Sequence, residues 1–254
     1  MYTIFQGGIN TSHPTGFRMV RSKGNPHYVL LIIKSNSRFV LQNQTYDITP
    51  GTAIILDKET PYSYENPQGI YIDDWLHFDL SLDSALPLPV NAFFPIANTS
   101  HLTAYLKQLL YELHYAPDSY KAKNIDCLMT VLIHNLAHAY NDRHHYSKSS
   151  FYHEKLKELR LSLQHNPGEN PSIADIAHKF GISVSHFSHL YSQLFGVSFQ
   201  KDLIQMKIDF ALDLLSHTTL TVEEIANLCG YNNTVHFHRQ FKQITGMTPG
   251  KCRD

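Results

Sequence analysis

The chain has 254 residues and a formal net charge of −1 at pH 7, with 43% hydrophobic and 12% aromatic residues. That length suffices for two domains, and the composition is that of an ordinary globular protein, which excludes a disordered chain. No stretch approaches the roughly 18 apolar residues of a membrane span, and the start lacks a signal-peptide pattern. We therefore expect a cytoplasmic protein with no membrane partner.

The N-terminal part of the chain carries an arm and a series of strand signals. Residues 1–17 show no sustained periodicity and are predicted to form an arm ahead of the first domain. Short β-branched or aromatic runs follow at 27–34, 38–42, 45–48 and 52–57, separated by turn residues. This spacing predicts a compact antiparallel sandwich or barrel.

A longer alternating strand is predicted at residues 71–80, YIDDWLHFDL. One face is aromatic and polar and carries Tyr71, Asp73, Trp75 and His77. The opposite face is mostly apolar and carries Ile72, Leu76, Phe78 and Leu80. A strand with these two faces can line a small-molecule pocket, because such sites combine aromatic side chains with a few polar groups.

Two amphipathic helices are predicted at 101–114 and 124–141, with Ala-Pro-Asp between them. The second helix is apolar over more than one stripe, which leaves a surface for the same helix of another subunit. This pattern predicts a homodimer, although both helices could instead cover the β-domain. Residues 143–153 are predicted to be a polar linker. The predicted interface residues are Ile125, Leu128, Leu132 and Leu136.

The C-terminal part contains one pattern twice, at 177–199 and 226–249. Two copies in register indicate two copies of one small structural unit. The matched pairs are Ala177 and Ala226, Gly181 and Gly230, Phe187 and Phe237, Tyr191 and Phe241, and Gly196 and Gly246.

Each copy has the signals of a helix, a tight turn and a second helix. Ser172 and Ser183 are predicted N-caps with Gly181 at the turn, and Thr221 and Glu224 form a capping box in the second copy. An amphipathic helix between the copies would hold them apart. This is the helix-turn-helix arrangement, whose second helix enters the major groove of DNA. The predicted buried positions on the second helices are Phe187, Leu190, Tyr191, Leu194, Val235, Phe237, Phe241 and Ile244.

The buried stripes leave a set of side chains facing outward on the two reading helices. Arg239 is the strongest candidate among them, because its guanidinium can pair bidentately with a guanine. The predicted DNA-contacting residues are Ser185, His186, Ser188, His189, Gln193, Asn233, Thr234, His238, Arg239 and Lys242.

The charge of this region is unusual for a protein that binds DNA. Residues 150–254 contain ten Lys and Arg, ten Asp and Glu, and eight histidines. Histidine titrates near pH 6.5, and phosphates favour its charged form. We therefore expect DNA affinity to increase as the pH falls from about 8 to 6. The alternative is that clustered Lys and Arg face the DNA and that histidine is incidental.

Residues 154–253 resemble the DNA-binding region of the AraC/XylS family of bacterial transcription regulators. The resemblance rests on IANLCGY at 225–231, HFHRQFKQITGMTP at 236–249 and the final Arg253. Lys207 departs from the arginine that is usual in the family. The resemblance implies promoter DNA and RNA polymerase as partners, and it also places dimerisation in the helices that precede the linker.

Residues 21–78 resemble the cupin-like sensor domain of the same family, on YDITPGTAIIL, an aromatic-rich turn and a WLHF strand. The resemblance implies a small-molecule effector, and in sugar-responsive relatives this effector is a carbohydrate. Asp73 departs from the histidine often found at its position. A non-sugar effector is the alternative. The pocket residues so implied are Arg21, Tyr62, Tyr64, Asp73, Trp75 and His77.

A metal-dependent cupin enzyme fused to a DNA-binding module is the competing hypothesis. It needs an HxH pair and further ligands pointing into the barrel, but His27 and His77 stand alone in the β-region. The three cysteines are scattered without CxxC spacing and are expected to be reduced. We therefore predict no catalytic residues, no metal and no cofactor.

The predicted fold class is α+β, with an N-terminal cupin-like β-barrel and a C-terminal all-α domain. The predicted domains are a sensor at 1–95, a dimerisation segment at 96–142, a linker at 143–153 and a DNA-binding domain at 154–254. The predicted function is that of an effector-responsive transcription activator of carbohydrate uptake or utilisation genes.

Overall fold

The computed structural model describes residues 1–82, 84–144 and 148–253, without the side chains of 148–150. The chain divides into two compact units, Met1–Ser147 and Lys148–Asp254. The first combines β-strands with two helices and the second is helical, which confirms the predicted α+β class. Within the described ranges, no helix has the length and apolar character needed to cross a membrane.

The β-strands of the first unit form two antiparallel sheets. The five-stranded sheet has the order β1-β8-β3-β6-β9 and the four-stranded sheet the order β2-β7-β4-β5, so the described strands form two separate ladders and not a closed barrel. The strands are β1 Tyr2–His13, β2 Arg18–Arg21, β3 Tyr28–Ile33, β4 Ser37–Leu41, β5 Gln44–Ile48, β6 Thr52–Leu56, β7 Tyr62–Glu65, β8 Tyr71–Leu80 and β9 Phe94–Pro95.

The side chains of β3 alternate between two hydrophobic cores because successive residues of a strand point to opposite faces. Leu31 and Ile33 belong to the core between the sheets, together with Phe39 of β4. Leu30 and Ile32 belong to the core between the five-stranded sheet and the helices. The unit is therefore built in three layers, with the larger sheet in the middle.

Helices α1 (Thr99–Tyr115) and α2 (Asp118–Asn141) cover the outer face of the larger sheet. Ile125, Leu132 and Leu136 are at most 5% exposed and lie in the core against that sheet, with Leu128 packed beside them. The prediction that these residues face a second subunit is therefore wrong for this face of α2. Helix α2 has more than one apolar stripe, and the larger sheet covers the stripe that was predicted to form the dimer interface.

The first residues form a strand and not an arm, which corrects the prediction for residues 1–17. Strand β1 pairs with β8 from Tyr2 to His13. Its register shifts between Ile4 and Gln6 and again between Gly8 and Thr11. Bulges insert extra residues and break the two-residue alternation, so the strand left no periodic signal in the sequence.

The described residues of the second unit form six α-helices and a short 3-10 helix, Pro249–Cys252, around two cores. Helix α3 starts at Lys148, inside the predicted linker of 143–153, and a 3-10 turn spans Asp142–His144. Residues 145–147 of that linker lie outside the described part of the chain. The helices are α3 Lys148–His165, α4 Ile173–Phe180, α5 Val184–Phe195, α6 Phe199–His217, α7 Val222–Leu228 and α8 Thr234–Thr245.

Candidate nucleic-acid interface and effector site

The first helix pair, α4 and α5, has the predicted turn and caps. The Ser172 hydroxyl accepts a hydrogen bond from the backbone N–H of Asp175, and Ser183 does the same for His186. Gly181 joins the helices in the left-handed conformation, with φ of 67°, which glycine adopts without a side-chain clash. Phe187 and Tyr191 anchor α5 in the core at 0% exposure.

The second helix pair, α7 and α8, repeats this arrangement. Thr221 and Glu224 form the predicted capping box. Gly230 has φ of 74° in the turn, and the Asn233 side chain caps α8. Phe237 anchors α8 with 0% exposure. The local sequence signals therefore identified both helix-turn-helix units.

Two residues predicted to be buried on α8 are exposed. Val235 is 76% exposed and Ile244 is 37% exposed. Only Phe237 and Phe241, one turn apart, are buried on this helix. Val235 lies on the opposite face from these two rings, whereas Ile244 shares their face but is in the last turn of the helix.

The predicted DNA-contacting residues share the outer surfaces of α5 and α8. Ser188 and Thr234 are half-buried, and the Ser188 hydroxyl donates to the carbonyl of Val184. The side chain of Asn233 accepts hydrogen bonds from the α8 backbone, which commits its oxygen to the cap. The residues whose exposure leaves them available to a partner are Ser185, His186, His189, Gln193, His238, Arg239 and Lys242.

A partly buried ion pair helps to fix α5 within the second unit. Asp202 of α6 accepts hydrogen bonds from Arg160 Nε at 2.7 Å and from the Tyr191 hydroxyl at 2.7 Å. Burial opposes ionisation of Asp202, but these two donors outweigh it and lower the pKa of the carboxyl. Sequence reasoning missed this pair, because Arg160 and Asp202 are 42 positions apart and no spacing rule links them.

The loop between α3 and α4 lies against the end of α7 and the turn that follows it. Gly168, in the loop after α3, lies against the carbonyl of Leu228, and Gly230 lies against the carbonyl of Gly168. A side chain at either glycine would collide with backbone atoms. These contacts tie the loop before the first helix-turn-helix unit to the turn of the second.

Lys207 occupies the position where the sequence departs from the family's usual arginine. Its ammonium is 3.1 Å from Asn170 Oδ1 and 5.1 Å from the ring centre of Tyr231. Burial lowers the pKa of Lys207. The lysine therefore joins the loop before α4 to the turn before α8, where Tyr231 lies.

The predicted effector residues come together on the inner faces of the two sheets. Asp73 and His77 of β8 are buried, as are Tyr62 and Tyr64 of the facing strand β7. Trp75 is half-buried and packs against the core between the sheets. The predicted alternation of β8 is confirmed, since its other face belongs to the core beneath the helices.

Asp73 is the exceptional group in this cluster. It is 1% exposed, and neither carboxyl oxygen accepts a hydrogen bond from the residues that the structure describes. Burial raises the pKa of Asp73 to about 7, and the nearby Tyr71 hydroxyl reduces this effect without cancelling it. Buried carboxyls without a partner are rare because desolvation is costly.

His77 lies on the same face of β8, four residues further along the strand than Asp73. Burial, aided by the positive charge of Arg21, lowers the pKa of His77 to about 4. Gln6 Nε2 is 2.9 Å from its Nδ1, and Thr11 accepts a hydrogen bond of 3.0 Å from the Trp75 indole. Sequence reasoning missed Gln6 and Thr11 because they lie on the unrecognised strand β1.

Arg21 lies at the margin of the cluster and is exposed. In the β2–β7 pairing it stands opposite Tyr62, and its charge opposes the rise that burial causes in the pKa of that tyrosine. Tyr64 and Tyr71 stack with ring centres 4.5 Å apart. The cluster thus combines stacked aromatic rings, an unpaired acid and a cation at its edge.

The structure offers no assembled metal site in the ranges it describes. No group of three or more His, Cys, Asp or Glu side chains there could hold a metal ion. The three cysteines are free, and burial raises the pKa of Cys229 to about 11.

Comparison with known proteins adds independent information. Residues 176–254 match the family described as a helix-turn-helix domain. The chain is 23% identical over 237 residues to the transcriptional activator RhaS of Mannheimia succiniciproducens, covering 88% of this chain and 85% of that protein. It is 25% identical over 242 residues to the activator RhaR of Yersinia pestis bv. Antiqua, covering 89% and 81%.

A solved structure is also similar to part of the chain. It is a transcriptional regulator with an AraC-type DNA-binding domain from Chromobacterium violaceum, 27% identical to this chain. The match covers 39% of this chain and 89% of that chain, with a TM-score of 0.36.

Proposed function

The chain belongs to the AraC/XylS family of bacterial transcription regulators, and on that premise we propose that it activates carbohydrate uptake or utilisation genes in response to a small effector. It is a DNA-binding regulator and not an enzyme. The relatives that it matches are likewise transcription regulators. Their names describe transcriptional activators, which supports activation as the direction of control. Promoter DNA would place the protein in the cytoplasm, with RNA polymerase as a further partner.

The observation that carries DNA binding is the pair of helix-turn-helix units with exposed reading helices. In such units the N-terminal part of the second helix contacts base edges. Exposed Arg239 and Lys242 lie on α8, while α5 presents Gln193 and two histidines. Helix α6 and the Gly168–Gly230 backbone contact set the spacing between the two helices.

Effector binding is proposed at the cluster between the sheets. Neither oxygen of Asp73 accepts a hydrogen bond from the described residues, so a ligand with donor groups could pair with this carboxyl. A carbohydrate offers hydroxyl donors for this carboxyl and an apolar ring face for Trp75. A non-sugar effector with donor groups remains the alternative, since the same chemistry would satisfy Asp73.

A homodimer remains part of the proposal, with a changed surface. The sheet-facing stripe of α2 is occupied within the protomer, so a partner helix would meet its outer surface. Val131 is 43% exposed there, and Cys127 is also exposed. Effector binding would then act by changing which DNA half-sites the dimer occupies.

The experiment for DNA binding is selection of duplexes from a random pool by the full-length protein. We expect the wild-type protein to enrich one sequence that contains a guanine. The Arg239→Ala variant should lose the preference for guanine at that position. Loss of one bidentate contact reduces discrimination by about 1 to 3 kcal/mol. Unchanged base preference in a folded Arg239→Ala variant would contradict this reading of α8.

The effector is tested separately, through the fluorescence of Trp75, which is the only tryptophan of the chain. Titration with a panel of pentoses, hexoses and deoxyhexoses should change this fluorescence for at least one sugar. Asp73→Ala should weaken that response. If no sugar changes the fluorescence while DNA selection succeeds, the protein is a DNA-binding regulator but its effector is not a carbohydrate.

A further inference from the structure

An apolar side chain stands in the first turn of the second reading helix. Val235 is 76% exposed, although the sequence pattern suggested that it was buried. Single exposed apolar residues are common on protein surfaces, so exposure alone indicates little. The position of Val235 on α8 is more informative than its exposure.

The internal repeat places Val235 at a base-facing position. Phe187 and Phe237 are matched anchors, so Val235, two residues before Phe237, corresponds to Ser185 of the first unit. Ser185 is exposed on the outer surface of α5. Val235 is also four residues before Arg239, which puts both side chains on the same face of α8.

The surroundings of Val235 leave its isopropyl group available to a partner. The Asn233 side chain accepts hydrogen bonds from the backbone N–H groups of Val235 and His236, at 2.8 and 3.4 Å. This cap fixes the backbone that carries the valine. The His236 ring packs edge-on to Tyr231, with centres 5.8 Å apart.

On the proposed function, on which this inference rests, we infer that Val235 determines specificity by contacting the C5-methyl group of a thymine in the major groove. The thymine methyl is the one apolar group that base pairs present there, and apolar side chains recognise it. Four residues of helix span about 6 Å, close to two base-pair steps. The thymine therefore lies within about two base pairs of the guanine that Arg239 reads.

The test replaces single thymines by deoxyuridine, which lacks only the methyl group, in the duplex selected by the full-length protein. Wild-type protein should lose about fourfold in affinity at one position, which is what burial of one methyl-sized group contributes. Val235→Gly and Val235→Ser should bind the thymine and deoxyuridine duplexes equally. Val20→Ala, a change at an exposed valine of strand β2, should keep the wild-type ratio.

The outcomes separate this inference from the proposed function. If the wild-type protein selects no sequence, DNA recognition itself fails. If it selects a sequence and every deoxyuridine duplex binds as well as its parent, Val235 does not contact a thymine methyl group. The proposed function as a DNA-binding regulator is then unaffected. The same holds if Val235→Gly retains the fourfold loss at that position. Circular dichroism confirms that each variant is folded.

Discussion

The two units of the molecule differ in how their buried aspartates are paired. Asp202 in the helical unit is 7% exposed and accepts hydrogen bonds from Arg160 and Tyr191. Asp73 in the β-unit is 1% exposed and accepts none from the described residues. Burial raises the pKa of Asp73, whereas the donors lower the pKa of Asp202.

The interior of the helical unit supplies hydrogen-bond donors for its buried aspartate, whereas the described residues of the core between the two sheets do not. Asp74, next to Asp73 on β8, is also buried but forms an ion pair of 2.7 Å with Lys34 on the helix-facing side of the sheet. The β-unit therefore pairs its acids where helices cover it. The unpaired carboxyl is confined to the face between the sheets, where we place the effector.

The largest effect is expected from introducing an acid into the apolar core beneath the helices. Leu132 is 0% exposed and lies among apolar side chains, so Leu132→Asp should destabilise the first unit by more than about 4 kcal/mol. Urea unfolding followed by Trp75 fluorescence measures this unit. A folded monomer would instead show that Leu132 faces a second subunit and not the sheet. Val131→Asp, on the exposed surface, is the matched control for the fold and tests the dimer.

The next effect concerns Asp73 and the pH. Its folded-state pKa of about 7 lies above the 3.8 of an ordinary aspartate. The free-energy cost of ionising it in the interior is therefore absent below about pH 4 and grows up to about pH 7. Asp73→Asn should therefore stabilise the first unit increasingly over this range. At about 1.4 kcal/mol per pKa unit, the upper limit is about 4 kcal/mol. Equal stabilisation at pH 4 and pH 8 would contradict an unpaired acid.

A smaller effect of opposite sign is expected for Asp202. Its pKa is lowered in the folded state, so its contribution is present above the ordinary pKa of the carboxyl and is lost as the pH falls through the lowered value. Asp202→Asn should destabilise the second unit by about 1 to 3 kcal/mol at pH 7. The loss should shrink in acid. Hydrogen exchange at the α5 and α6 amides measures this unit separately from Trp75.

The smallest effect is expected for the histidines of the reading helices. His186, His189, His236 and His238 are exposed, and phosphates should favour their protonated forms. Affinity for the selected duplex should therefore increase severalfold from about pH 8 to 6, at fixed salt. Replacing the four by glutamine should remove the increase. Affinity that does not depend on pH would assign the phosphate contacts to Lys and Arg.

The sequence by itself determined the helix-turn-helix units because their signals are local. A cap such as Ser183, a left-handed Gly181 and an anchor such as Phe187 lie within one or two turns of each other. The same holds for β8, where a period of two assigned both faces correctly. Those patterns need no knowledge of what lies opposite.

Tertiary structure alone decided the features that depend on a distant partner. Strand β1 is defined by its pairing with β8, since two bulges remove its periodicity. An apolar helix such as α2 has several possible inner faces, and only the sheet selects the one that carries Leu132. Pairing is likewise non-local: Asp202 finds Arg160 from 42 positions away, whereas Asp73, buried between two sheets, finds no partner among the described residues.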